Sequence, residues 1–380
     1  VITLLASSPA SAQIVQYVVT DLGFPPGNWV TSVAFSINNA GQVAGESTSS
    51  APGTPATRAW RYTPGVGVVD LGSVSGTGGA SLGSATANGI NASGQVVGQT
   101  SLPAGVVGGA FRYTDGVGMV NLGALPGNDG SEARGINNLG QVTGSSFVSG
   151  TTSVQHAFRY TDGVGMVDLG LPAGATRSFG RAINNSGQVL VGAFLASGEG
   201  RAYRYTDALG YLFLGTLGGQ TSGGNSINDS GQVVGLSDTA SGIAHAFRYT
   251  DGVGMVDLGA LLVPGSSNAL GINNRGDVVG TSVGGAFLYR DGLGVTYLNS
   301  AIDPASGWTL GTPYDINESG QIVGTGFRGG VQRAFLLTPI PEPSSLLLAG
   351  LAVAGAATRG RCIAAALARC LRQARWESSL

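Results

Sequence analysis

Arg134 and Arg181 each stand two residues ahead of an Ile-Asn pair, 47 residues apart. A guanidinium carries a planar fork of N–H donors that matches a carboxylate or sulfate, so two of them converging would make an anion site. At the same offset from other Ile-Asn pairs stand Phe35, Asn88, Asn225, Leu270 and Tyr314. Asn88, Asn225 and Tyr314 would donate hydrogen bonds, and the set could hold a saccharide that bears an acidic group.

Other chemistry has weaker support. The only histidines, His156 and His245, share a repeat position with Arg58, Gly109, Arg201, Gly285 and Arg333. A position so tolerant is expected to hold packed or edge residues, and two histidines in different repeats would not meet as a metal pair. Glu132 and Asp315 are the only acids near the arginine row. A polysaccharide lyase or hydrolase would need two carboxyls about 5 to 9.5 Å apart, and nothing in the sequence brings these two that close. There is no serine elbow, HExxH, phosphate loop or Cys/His cluster. No catalytic residue, metal or cofactor is expected.

The elements that would position the row are repeats. Ile-Asn, two residues, Gly, then Gln or Asp starts at Ile37, Ile90, Ile136, Ile183, Ile227, Ile272 and Ile316, spaced by 53, 46, 47, 44, 45 and 44 residues. An Ala-aromatic pair follows each, from Ala59-Trp60 to Ala334-Phe335. A period of roughly 40 to 50 residues is that of one four-stranded propeller blade. In the third repeat strand A is expected at 131–136, B at 141–147, C at 157–160 and D at 166–170. Asn-x-x-Gly, as in Asn91, Ala92, Ser93 and Gly94, should turn A into B, with Asn capping and Gly supplying positive φ. If 162–165 form a four-residue loop between C and D, Arg159 faces Asp168, Arg61 faces Asp70 and Arg248 faces Asp257.

Residues 17–23 match the strand that closes later repeats, but they come before the first repeat, and the last repeat lacks that strand. The two ends complete one another. The expected fold is therefore all-β, a seven-bladed β-propeller closed by pairing 17–23 with 334–337 and followed by a C-terminal hydrophobic helix. If strand A is innermost, the residues three before each Ile, all small or Pro, suit a crowded hub, and the variable row lines a channel. The alternative is that the row faces a neighbouring blade or water.

Composition fits many short strands: 66 of the 380 residues are Gly and only 11% are charged. A net charge of −2 with no basic aromatic stripe gives no attraction to nucleic acid. Cys362 and Cys370 lie beyond the repeats, so disulfides do not hold the array together.

Residues 1–12 read as the end of a secretory signal peptide, with Ala10 and Ala12 at the spacing cleavage accepts. The propeller spans 13–338. At 339–361 come Pro341-Glu342-Pro343, an apolar run at 346–357, then Arg359 and Arg361, followed by a basic tail at 362–380. This order resembles the PEP-CTERM sorting signal. The resemblance implies export, processing near Pro341, Glu342 and Pro343 by an exosortase-type enzyme, and transient anchoring in the membrane through a transmembrane helix.

The array, with His156-Ala157-Phe158 and His245-Ala246-Phe247, resembles the HAF repeats of extracellular proteins, a family that implies location and architecture rather than an activity. The expected protein is an exported, cell-surface or extracellular-matrix module that binds or builds structure, with exopolysaccharide or cell-surface glycan as partner. A protein-interaction scaffold is the further alternative, and it would show an exposed apolar patch on one propeller face.

Overall fold

The computed structural model describes residues 16–49, 57–72, 83–101, 108–150 and 155–341. Val1–Thr338 is one compact unit and Pro339–Leu380 a second. The expected signal segment at 1–12, most of the sorting signal, its apolar helix and the basic tail lie outside the described residues. No helix among the described residues is long and apolar enough to cross a membrane.

Seven four-stranded sheets account for the repeats, one blade each. In blade 3 strand A is Gly130–Ile136, B is Val142–Phe147, C is Gln155–Thr161 and D is Gly165–Asp168, all antiparallel. In blade 7 strands A to C are Trp308–Ile316, Ile322–Arg328 and Val331–Pro339, and the fourth place is taken by Tyr17–Asp21. Leu22 N donates to Ala334 O at 3.1 Å, and Tyr17 is buried among Leu288, Leu298 and Trp308. The N-terminal strand thus closes the ring, as the complementary ends predict.

Successive A strands touch one another in cyclic order, the seventh meeting the first, so strand A is innermost. The aromatic of strand C (Trp60, Phe111, Phe158, Phe247, Phe287 or Phe335) is wholly buried. It lies over a strand B glycine: a Cβ on Gly98 would stand 1.8 Å from Thr86 O and 2.9 Å from the Phe111 ring. Only glycine lets strand A and the aromatic approach strand B together.

The A-to-B turns follow the expected chemistry. Asn91 Oδ1 accepts from Gln95 N at 3.0 Å, and Gly94 has φ +78°. The same asparagine also links blades. Asn38 Nδ2 donates to Asn91 O at 2.9 Å, Asn91 to Asn137 O at 3.1 Å, and so on round the ring until Asn317 donates to Asn38 O at 3.1 Å. Seven buried amides close on themselves, and each satisfies a carbonyl of the next blade.

The expected C-to-D register is off by one residue. The loop has three residues, so Thr161 pairs with Gly165, Arg159 with Val167, and Phe158 with Asp168. The same holds for Arg61 against Val69 and Arg248 against Val256. Among the described residues the repeated arginine therefore pairs with no acid of its own blade. It crosses to the C-to-D turn of the next: Arg61 to Asp115, Arg112 to Asp162, Arg159 to Asp207 and Arg248 to Asp291, each at 2.9 Å, and Arg204 to Asp251 at 2.8 Å. Four of the five also donate to the A-to-B turn glycine of that blade, as Arg204 does to Gly231 O at 2.9 Å, and lie over its tyrosine.

The strand D acid pairs instead with the tolerant position at the start of strand C. His156 Nδ1 lies 2.7 Å from Asp168, His245 Nδ1 2.9 Å from Asp257, and Arg58 Nε 3.7 Å from Asp70. Where strand D carries Phe213, Arg201 stacks on that ring at 5.0 Å. The histidines are one option in an in-blade pairing, and among the described residues no metal-ligating cluster forms.

Candidate functional site

Each A strand carries a register shift two residues before its Ile. The residues skipped are Phe35, Asn88, Arg134, Arg181, Asn225, Leu270 and Tyr314. A bulged residue has no partner opposite, and its side chain is turned out of the pleat. Here all seven turn inward. Together they line one cavity of ≈ 310 Å³ on the propeller axis, within the size range of small-ligand pockets. A second cavity of ≈ 250 Å³ is lined by this row and the Ile row, and a third of ≈ 200 Å³ by the Ile and Asn rows. A collar of seven isoleucines thus separates the variable chamber from an amide-lined mouth.

The chamber is polarised. Arg134 and Arg181 come from blades 3 and 4. Across from them Phe35 and Tyr314 pack edge-to-face at 5.2 Å, with Leu270 beside them. Asn88 and Asn225 stand between the two walls.

The arginines differ in how they are held. Arg134 Nε donates to Glu132 Oε1 at 2.9 Å, and Ser145 Oγ donates to the same oxygen at 2.9 Å. Arg181 forms no ion pair among the described residues. Its guanidinium lies 4.8 Å from the centre of the Phe179 ring, which packs against Phe194 at 5.8 Å. Burial, with the Arg134 charge nearby, lowers the Arg181 pKa from its ordinary value. An unpaired, half-buried cation favours an anion beside it.

The expected donors Asn88 and Asn225 are already engaged. Asn88 Nδ2 donates to Ala133 O at 2.8 Å; Asn225 Nδ2 donates to Ala269 O at 2.8 Å and to Asn268 Oδ1 at 2.7 Å. Their N–H groups brace the next blade, and no hydrogen bond among the described residues uses their Oδ1 atoms. They can offer a ligand an acceptor, which suits a hydroxyl. Burial raises the Tyr314 pKa and the Glu46 charge adds to it, so the phenol stays protonated and able to donate.

One alternation further from the Ile, sequence reasoning named Glu132 only as an acid near the row and missed Phe179 and Asn268. Glu132, Phe179 and Asn268 hold Arg134, Arg181 and Asn225 in place. The two-residue period of a strand puts them on the same face as the row, and that was the available signal.

Glu132 and Asp315 are occupied separately. Asp315 is half-buried between blades 7 and 1, where Oδ2 accepts from Ser36 Oγ and Ile37 N, both at 3.0 Å, and Oδ1 from Ile316 N at 2.9 Å. Burial pushes its pKa up to about 6 against the pull of those donors.

The chain matches the PEP-CTERM protein-sorting motif over residues 339–361. A motif of this kind implies export, association with the surface or membrane, and processing by an exosortase. No curated protein matches the chain. Among solved structures it is similar to TolB from Acinetobacter baumannii, at 11% identity and TM-score 0.45, over 84% of this chain and 66% of that one. A prolyl endopeptidase aligns at 9% identity and TM-score 0.47, over 87% of this chain and 51% of the other. A mutant Aleuria aurantia lectin in complex with Fucalpha1-6GlcNAc aligns at 13% identity and TM-score 0.40, over 71% and 96% of the two chains. The chain thus spans just under two thirds of TolB and about half of the endopeptidase.

Proposed function

We propose that this chain is an exported, surface-associated binding module, an HAF-type repeat array whose central chamber takes the acidic end of a surface or matrix polysaccharide. The observation that carries the reading is Arg181, a cation that forms no ion pair among the described residues, in a chamber whose far wall is aromatic. A uronate or sulfated sugar has both matching parts: an anionic group for the guanidinium, and an apolar C–H face for the Phe35 and Tyr314 wall. Asn88 and Asn225 accept from its hydroxyls. Binding is favoured over catalysis because the nearby acids are engaged. Glu132 neutralises Arg134, and Asp315 has both oxygens occupied at the blade seam.

The test is calorimetric titration of acidic oligosaccharides, uronate-bearing and sulfated, with a neutral oligosaccharide as control. Arg181→Ala should weaken acidic-ligand binding roughly 10- to 100-fold, the loss of one charge-assisted pair. Arg134→Ala should cost less, since that guanidinium is already shared with Glu132. No binding to any acidic glycan, or equal binding by wild type and Arg181→Ala, overturns the reading.

A further inference from the structure

The hairpins that join strands C and D present an aliphatic tip in six successive blades. Val66, Val117, Val164, Leu209, Val253 and Leu293 stand at one repeat position and are 56% to 85% exposed. In an antiparallel blade the A-to-B and C-to-D turns lie on the same face, so these tips form a circle on one face of the propeller. Blade 7 has no such hairpin, because its strand C ends at Pro339 on this face. There the chain leaves through Ile340, itself 47% exposed, into the matched sorting motif. On the opposite face the exposed aliphatics at one repeat position, three residues before the Ala of strand C, are Ile243, Val283 and Val331, in blades 5 to 7 and 38% to 61% exposed.

We infer that this circle of tips rests on a lipid bilayer while the chain is held by its sorting segment. The inference is independent of the channel reading; it relies on the sequence expectation that the apolar run at 346–357 enters a bilayer. Three observations favour a bilayer as occupant. The tips are separate points around a ring, which a flat apolar boundary can meet together, whereas a protein partner usually buries one contiguous patch. Next to five of the tips the aspartates Asp115, Asp162, Asp207, Asp251 and Asp291 are each paired with an arginine, so the charge beside the tips is compensated; the acids on this face without an ion pair among the described residues include Asp229 and Glu318, in the central A-to-B turns. Finally, only four residues lie between Pro341 and Leu346, so the five steps from one to the other reach at most about 18 Å. Such a short tether keeps this face near the membrane and gives weak contacts a high effective concentration.

The experiment uses the full chain carrying Cys362→Ser and Cys370→Ser, with one added cysteine at a tip (Leu209→Cys or Val253→Cys) or on the opposite face (Val283→Cys). Each is labelled with an environment-sensitive fluorophore and mixed with phosphatidylcholine vesicles containing a lipid-borne quencher. Both tip labels should shift to the blue and be quenched, and the Val283→Cys label should do neither. A companion chain with all six tips changed to Ser should keep its melting temperature and partition to vesicles at least fivefold less. The inference fails if the tip labels do not respond, if all labels respond alike, or if the response appears without vesicles as protein concentration rises, which would mark a second copy as the occupant. It also fails if the Ser variant partitions like wild type, since the tail alone would then hold the chain.

Discussion

The seams between blades 1 and 6 and the two seams that flank blade 7 use different chemistry for the same job. Five seams carry an arginine from strand C into the turn of the next blade. The other two carry Leu288 and Leu336 at that position, both buried. Each leucine stands where the acid is missing. Blade 7 has no C-to-D turn to offer Leu288, because its fourth strand comes from the N-terminus. Blade 1 offers Leu336 a turn with Pro64 in place of the aspartate. The arginine side chains are 9% to 17% exposed and their aspartates 57% to 65%, so the ion pair alone is worth at most about 1 kcal/mol. In four of these seams much of the strength comes from the arginine stem over the next tyrosine and from its hydrogen bond to the turn carbonyl. Leucine supplies the burial without the need for a partner. The closing seam has a second device in Asp315, which stands where other blades have Ser, Gly or Ala.

The largest effect is expected at Asp315. Blade 4 carries Ala182 at the equivalent position, so its backbone admits alanine, and Asp315→Ala removes the carboxyl alone. Three donors lose their acceptor, at a cost of roughly 2 to 4 kcal/mol at pH 5. The cost should shrink with pH. The unfolded chain ionises this group near its ordinary 3.8, the folded chain at about 6. Stability from Asp315 is therefore fully present below about pH 4 and is lost as pH rises through 6, by roughly 3 kcal/mol in all. Guanidinium unfolding of both proteins between pH 4.5 and 8 measures this. A penalty that stays constant with pH would show that the seam does not titrate.

The exchange of arginine for leucine can be run backwards. Leu336→Arg places a guanidinium at a buried position whose turn lacks an acid, and should cost about 3 kcal/mol. Adding Pro64→Asp should recover at least about 1 kcal/mol by building the pair that the other seams have. Urea denaturation of the single and double variants gives the coupling. If Pro64→Asp has the same effect in both backgrounds, acid and base are not matched across this seam, and the contrast between the two kinds of seam is wrong.

The fold was legible because its signals are local and repeated. The Ile-Asn period counted the blades, and the mismatched ends announced how the ring closes. The seam was misread because it turns on one residue of loop length. Counting Gly165 into the loop rather than pairing it with Thr161 moved Arg159 from its neighbour's Asp207 to its own Asp168. Pattern alone gives no warning of this, since a one-residue slip leaves the composition of both strands unchanged. For the site, comparing copies inside the chain picked out the seven lining residues, because position −2 varies where −3 is always small or Pro. What could not be read was the bulge that aims the row inward, or that the amides of Asn88 and Asn225 already donate to the next blade. Both depend on how adjacent blades meet, which one strand's sequence does not encode.

The smallest expected effects fall on the chamber row and sharpen its contrast with the row beside it. Ala133 is wholly buried at the hub, and Arg134, one residue on, projects into the channel. Ala133→Leu must force a side chain into a close-packed hub, at about 1 to 3 kcal/mol or more. Arg181→Ala and Leu270→Ala delete groups that face an open cavity, and each should change stability by less than about 1 kcal/mol, since no packed volume is left empty and no buried acid loses its partner. Thermal melts of the three variants distinguish a row that builds the ring from one that is free to vary. If Arg181→Ala were as costly as Ala133→Leu, the guanidinium would be part of the hub, and its lack of a carboxylate could no longer be taken as the mark of a ligand site.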